Sequence, residues 1–222
     1  MQQRKWVDKT KRELLALYVA VAIMYLIPAI VSEPFRGAQN MTNILNQMAP
    51  VGFVALGQTF PILTTGIDLS VGPVVSMTTA LAATYMGFSL SMTLKGLILC
   101  LLAGLAVGIV NGLVITRLRV EPLIATLGAS GVISGIALGI MPYPGGYVSP
   151  IFTKWWSYQV GNIIPLAFVH FLVALFLCHF VLNFTRFGRR VYALGGDERK
   201  AAVAGINVQQ VKMGVYAMSS LF

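Results

Sequence analysis

Apolar residues fall into long runs separated by short polar or basic stretches. The first run covers 14–31, eighteen residues from Leu14 to Val31. About 20 apolar residues cross a hydrocarbon core of roughly 30 Å, so this run predicts a first membrane helix. Further apolar segments cover 44–65, 70–88, 95–116, 122–141 and 163–183. A seventh covers 213–222, ten residues ending at Phe222. Ten residues do not span a bilayer, so the sequence reads as cut inside a seventh helix. The predicted fold is all-α: a polytopic transmembrane helix bundle, six complete spans plus the start of a seventh. Residues 1–222 then form a single, C-terminally incomplete domain. The first run exceeds a signal-peptide core, and no clean cleavage site follows Val31, so it reads as an uncleaved helix.

Composition agrees with that reading. Of the 222 residues, 57% are hydrophobic and 10% charged, with a mean hydropathy of +0.78. A soluble domain carries about 25% charged residues. A cytosolic enzyme, a disordered tail and a small secreted domain are therefore excluded. The net charge of +9 does not indicate a nucleic-acid partner, because the basic residues flank apolar runs. With alternating spans, one side holds the N-terminus, the 66–69 junction and the 117–121 and 184–212 loops. Those segments carry 13 of the 16 Lys and Arg residues, which makes that side cytoplasmic and the N-terminus with it. Their basic residues also attract anionic lipid headgroups. Outside lies the 142–162 segment, an irregular interfacial loop with Trp155 and Trp156 as anchors.

Two glycine stripes predict close helix packing: Gly96, Gly104, Gly108 and Gly112, then Gly131, Gly135 and Gly139. Cys100 and Cys178 lie in apolar runs and read as small buried residues. His170 and His179 read as buried, hydrogen-bonded histidines, His179 near the cytoplasmic end where water or headgroups can satisfy it, with a proton relay as the alternative. The sequence has no metal-ligand spacing, no hydrolytic set and no Gly-x-x-x-x-Gly-Lys-Ser/Thr phosphate loop.

The most informative stretch is 57–73, GQTFPILTTGIDLSVGP. Pro61 interrupts the helix ladder. Gly66 permits a chain reversal or a left-handed residue. Asp68 or Ser70 is placed to cap a following helix, and Pro73 suits its first turn. Helix, break, capped helix is the expectation. Broken helices with polar residues line solute paths in transporters. Gln58, Thr59, Thr64, Thr65, Gly66, Asp68 and Ser70 are therefore the translocation candidates, although a helical Thr often bonds its own backbone. For Asp68, three roles stand open: a cap, an electrostatic or gating group, and direct substrate or proton chemistry.

Thr65–Gly72, TGIDLSVG, resembles a signature of the permease subunits of bacterial sugar ABC importers, of the ribose, xylose, galactose and arabinose type. Pro73 stands where many members have Ser. The 184–212 loop strengthens the resemblance. Within it, Asp197 can cap a short helix from Glu198 through an alanine-rich stretch to Gly205. Such a helix is too short to stand alone and needs something to dock against. The pattern TRFGRRVYALGGDERKAAVAGINV resembles the family's cytoplasmic coupling loop, with Asp197 in place of the usual Asn. By that resemblance Gly195, Gly196, Asp197, Glu198, Ala201, Ala202 and Gly205 seat against an ATPase subunit.

The resemblance implies a non-catalytic transport subunit in the bacterial inner membrane. It forms the path for a sugar, most simply a monosaccharide, delivered by a periplasmic sugar-binding protein. Its partners would be cytoplasmic ABC ATPase subunits and a second permease copy or paralogue. This chain would bind no cofactor, and ATP and Mg would sit on the ATPase. An ion-coupled secondary transporter and a membrane-embedded enzyme are the competing classes. The first needs more intramembrane ionisable groups, the second a convergent catalytic set.

Overall fold

A computed structural model describes the backbone of residues 2–222 and the side chains of residues 11–222. Helices dominate: α1 (Gln2–Val31), α2 (Ala38–Leu63), α3 (Val71–Tyr85), α4 (Leu90–Arg117) and α5 (Pro122–Ile140) come first. They are followed by α6 (Pro150–Trp156), α7 (Leu166–Phe184), α8 (Arg186–Gly196), α9 (Glu198–Val203) and α10 (Val208–Leu221). Each apolar run of the sequence contains the body of one long helix.

Among the described residues, four helical stretches are long and apolar enough to cross a membrane: 11–31, 90–117, 122–140 and 166–184. α2 has 26 residues, but Asn43, Asn46, Gln47, Gln58 and Thr59 dilute its apolar character. α3 has 15 residues, about 22 Å at 1.5 Å per residue. That is short of a core of roughly 30 Å.

The chain divides into two compact units, 1–45 and 46–222. In the first, a 3-10 turn at Pro34–Arg36 follows α1. Arg36 Nη1 donates to the carbonyl of Ala29 at 2.8 Å. A guanidinium on the unpaired carbonyls of a helix C-terminus satisfies them and complements the helix dipole. Tyr25 and Phe35 rings lie 5.5 Å apart and close the same corner.

In the second unit the first glycine stripe sets the packing. α4 lies against α10 with backbones in near contact. A Cβ at Gly104 would come within 2.5 Å of the Ser220 carbonyl oxygen, and one at Gly112 within 2.7 Å of Met213 Cα. Gly108 meets the Tyr216 carbonyl in the same way. The second stripe differs: Cβ atoms at Gly131, Gly135 and Gly139 would meet nothing within 4 Å. On α5 these glycines face no described residue of this chain, although Ala125, Ala129 and Ala137 of the same helix pack inward. A core of Leu56, Phe60, Cys178, Leu182, Val191, Val215 and Tyr216 joins α2, α7, α8 and α10.

Two loops hold more structure than their sequence suggests. The 142–162 segment contains α6, and Gln159–Val160 pairs with Ile164–Pro165 in a two-residue antiparallel ladder. The 184–212 segment contains α8 as well as α9. The apolar face of α8, Phe187, Val191 and Leu194, recurs at helical spacing, but Gly188, Gly195 and Gly196 obscure it.

Candidate functional site

The segment between α2 and α3 carries a buried polar network. α2 ends in a Schellman motif. Gly66 N–H donates to the Pro61 carbonyl at 2.9 Å and Thr65 N–H to the Ile62 carbonyl at 3.0 Å. The left-handed residue this motif requires is Thr65, at φ 59°. A β-branched residue there is strained by about 1–3 kcal/mol. Gly66 therefore does not supply the left-handed turn that the sequence suggests. It leaves room for Tyr216: a Cβ at Gly66 would come within 2.5 Å of Tyr216 Oη.

From Gly66 the chain runs extended, and its side chains alternate. Gly66, Asp68 and Ser70 turn inward, while Ile67 and Leu69 face outward. Polar residues go in and apolar ones out, as suits an outer surface of lipid. Asp68 Oδ1 accepts from Ser70 N–H at 2.9 Å and from Ser70 Oγ at 2.6 Å. Ser70 Oγ in turn accepts from Asn111 Nδ2 on α4 at 2.8 Å. Gln58 holds the backbone of Asp68 from both sides, its amide nitrogen donating to the carbonyl and its oxygen accepting from the N–H. Thr126 on α5 accepts from Leu69 N–H at 3.1 Å and donates to the Pro122 carbonyl at 2.9 Å.

Neither acidic nor hydroxyl capping takes the expected form. Ser70 stands at the N-cap of α3 with helical backbone angles and no side-chain capping bond. Asp68 bonds the N–H and hydroxyl of Ser70 rather than an N–H of the first turn of α3, so its carboxylate shapes the turn before the helix. Among the sequence candidates, Gln58, Gly66, Asp68 and Ser70 come together. Thr59, Thr64 and Thr65 bond nearby backbone carbonyls instead, those of Ala55, Pro61 and Thr64. Asn111, Thr126 and Tyr216 join the site from 41 or more residues away in sequence. Only their polarity inside apolar helices marked them.

The candidates of the 184–212 segment form a second site. Asp197 caps α9, its Oδ1 accepting from Lys200 N–H at 3.0 Å. Gly205, at φ 82°, closes α9 with a second Schellman motif: Ile206 N–H to the Ala201 carbonyl and Gly205 N–H to the Ala202 carbonyl. Ala201 is buried beneath the helix, and Ala202 faces out beside Val203, which is 91% exposed. Glu198 pairs with Lys212 of α10 at 2.7 Å. Gly195 is pressed on the Leu63 carbonyl, so that no side chain fits there, whereas Gly196 is open. Thus α8 rests directly on the end of α2. A cleft of about 580 Å³ borders α9 and is lined by Arg119, Glu121, Arg199, Ala202 and Lys212 among others.

Elsewhere, His170 is held by the Leu166 carbonyl at 2.6 Å and stacks with Trp156. His179 Nδ1 meets Asn183 at 3.1 Å. Both cysteines are free thiols.

A sequence model described as "Branched-chain amino acid transport system / permease component" matches residues 40–222. The chain belongs to that permease family. It is 33% identical to the "Ribose import permease protein RbsC" of Bacillus subtilis (strain 168), over 92% of this chain and 64% of the relative. The same-named protein of Escherichia coli (strain K12) is also 33% identical, over 98% of this chain and 67% of its own. The "Galactose/methyl galactoside import permease protein MglC" of Salmonella typhimurium (strain LT2) is 30% identical, over 93% and 67%. The chain thus spans about two thirds of the length of these relatives. No solved structure matches it significantly. The resemblance read from TGIDLSVG and the 185–208 pattern therefore holds along the permease.

Proposed function

We propose that this chain is the permease subunit of an ATP-driven sugar importer in the bacterial inner membrane. It forms the path for a monosaccharide handed over by a periplasmic sugar-binding protein. The ribose and galactose import permeases among its relatives support the sugar class. The observation that carries the reading is the form of α9. A six-residue helix cannot stand alone. Here it is capped at both ends, braced by Glu198–Lys212, and leaves Val203 almost fully exposed. That is a rigid knob with an uncovered apolar tip, suited to the groove of a cytoplasmic ATPase. Gly196, Asp197, Glu198, Ala202 and Gly205 form or present the knob, while Gly195 and Ala201 anchor it from beneath.

ATP and Mg are assigned to that ATPase, and this chain contributes path and motion without bond chemistry. α2 and α3 complete six spans with the four apolar helices, and α10 begins a seventh. α3 reaches the necessary depth together with the extended 64–70 segment. The N-terminus is cytoplasmic by the distribution of Lys and Arg. The open glycine face of α5 is offered to a second permease copy or paralogue, since small residues allow close approach in lipid. Gln58, Thr59, Thr64, Thr65, Gly66, Asp68 and Ser70 belong to the break that borders the path.

Co-expression of the full-length subunit with its ATPase tests the assignment. The parent should retain the ATPase through purification in detergent. A folded variant with Asp197→Ala, Glu198→Ala and Gly205→Leu should lose it. Retention by that variant, or no ATPase bound to a well-folded parent, would overturn the reading.

A further inference from the structure

Asp68 and Tyr216 each keep one buried polar atom without a partner. Asp68 Oδ2 and Tyr216 Oη make no hydrogen bond among the described residues, and both residues are 1% exposed. Within a membrane bundle a polar group left unpaired is costly, and such groups call for a specific explanation. The rest of the network is fully engaged. Asp68 Oδ1 serves Ser70, Ser70 serves Asn111, and Gln58 holds the Asp68 backbone. Ser219 Oγ and Ser220 Oγ, one turn further along α10, are also buried without a partner among the described residues, but Asp68 Oδ2 and Tyr216 Oη are the two such atoms at the break.

They are neighbours. Tyr216 Oη lies over Gly66, two residues before Asp68, at a distance that only a glycine permits. Tyr216 also stands one helical turn beyond a residue that is bound to α9. Lys212 and Tyr216 are separated by one turn of α10, at i and i+4. Lys212 is bound to Glu198 of α9 at 2.7 Å. A displacement of α9 therefore pulls on the turn of α10 that bears Tyr216. The segment it would act on contains Thr65, held in a strained left-handed conformation.

We infer that Tyr216 is a positioning residue, whose Oη donates a hydrogen bond to Asp68 Oδ2 in a second arrangement of the helices and so carries the position of α9 to the break. Gly66 leaves the phenol room to slide, and the strain at Thr65 gives the segment a second conformation to relax into. In the arrangement described here the bond is open. The source of the motion rests on the proposed importer function; the pairing of the two residues does not.

The test uses the full-length subunit with its ATPase and binding protein in proteoliposomes. Radiolabelled ribose, galactose and fructose serve as probes. The variants are Tyr216→Phe, Asp68→Asn and the double variant. Tyr216→Phe removes only the hydroxyl; Asp68→Asn keeps an oxygen for Ser70 and replaces the free acceptor by a donor. Each single variant should lower uptake per ATP hydrolysed by about tenfold, with hydrolysis itself within about twofold of the parent. The double variant should lose no more than the worse single one, as groups sharing one bond do. An unchanged ratio for Tyr216→Phe, or losses that multiply, would overturn the inference. Thermal unfolding in detergent provides a reading that needs no ATPase. Removing an unpaired hydroxyl should leave the Tyr216→Phe midpoint within about 2 °C of the parent. A fall beyond about 5 °C would mean that the hydroxyl is already bonded, and would also overturn it. A parent without ATP-dependent uptake would reject the importer reading, leaving the unfolding result to decide on the pair.

Discussion

α2 and α9 end with the same pair of Schellman hydrogen bonds, yet they are built from different residues for different surroundings. At the end of α9 the left-handed residue is Gly205, the side chains around it are exposed, and a carboxylate caps the other end in the ordinary way. At the end of α2 the left-handed residue is Thr65, and the chain beyond it is tied to α4 and α5 by a buried network. The first end is relaxed and presents a surface. The second is strained and held in place by tertiary contacts. Backbone strain persists only where surrounding structure over-determines it, and here that structure is Gln58, Asp68, Ser70, Asn111 and Thr126. Under the proposed function, the difference separates a surface offered to a partner from a segment with a second shape to adopt.

The largest effect that sharpens this contrast lies where the two regions meet. Gly195→Ala drives a Cβ into the Leu63 carbonyl and should destabilise the subunit by about 3 kcal/mol, the upper range for overpacking. Gly196→Ala, with nothing near it, should stay within about 0.5 kcal/mol. Thermal unfolding of both in detergent checks the pair. Equal behaviour would mean that α8 does not rest on α2.

Next comes the network itself. Asp68→Ala leaves the Ser70 N–H and hydroxyl without their acceptor and should cost about 1–3 kcal/mol. Protease resistance of the α2–α3 segment is the direct readout. Smaller and opposite in sign are the two left-handed residues. Thr65→Gly should relieve strain and stabilise by about 1 kcal/mol, whereas Gly205→Thr should destabilise by about as much. Unfolding midpoints moving in opposite directions would confirm that one motif is strained and the other relaxed. The smallest effect is expected at the brace of α9. Glu198→Gln weakens the bond to Lys212, and with Glu198 half exposed the loss should be about 0.5 kcal/mol.

Much of this was legible in the sequence, and the failures follow from its local character. Every long helix coincides with an apolar run, because lipid demands apolar length and little else. The break after Leu63 and the cap at Asp197 follow from Pro, Gly and Asp chemistry within a few residues. Gly205 was readable for the same reason. What stayed hidden depended on distance. Nothing near Gly66 in the chain shows that Tyr216 occupies the space above it. Nothing near Thr65 shows that it, not the glycine beside it, takes the left-handed turn. The glycine stripes illustrate the same limit: their spacing is alike, but α4 uses its stripe against α10 while that of α5 stays open. α8 was missed because its three glycines lower helix propensity, which burial of Val191 and Leu194 overrides.

The division between a partner-facing knob and a shape-changing break meets its most direct test at Val203. A Val203→Cys full-length subunit would be labelled with a maleimide in detergent, alone and in complex with its ATPase, beside a control without the added cysteine. Labelling should be rapid in the free subunit and fall by about tenfold or more in the complex, as a residue 91% exposed becomes covered. Labelling that stays rapid while the ATPase is bound would show that α9 is not the contact, and would contradict the assignment of this helix as the coupling element.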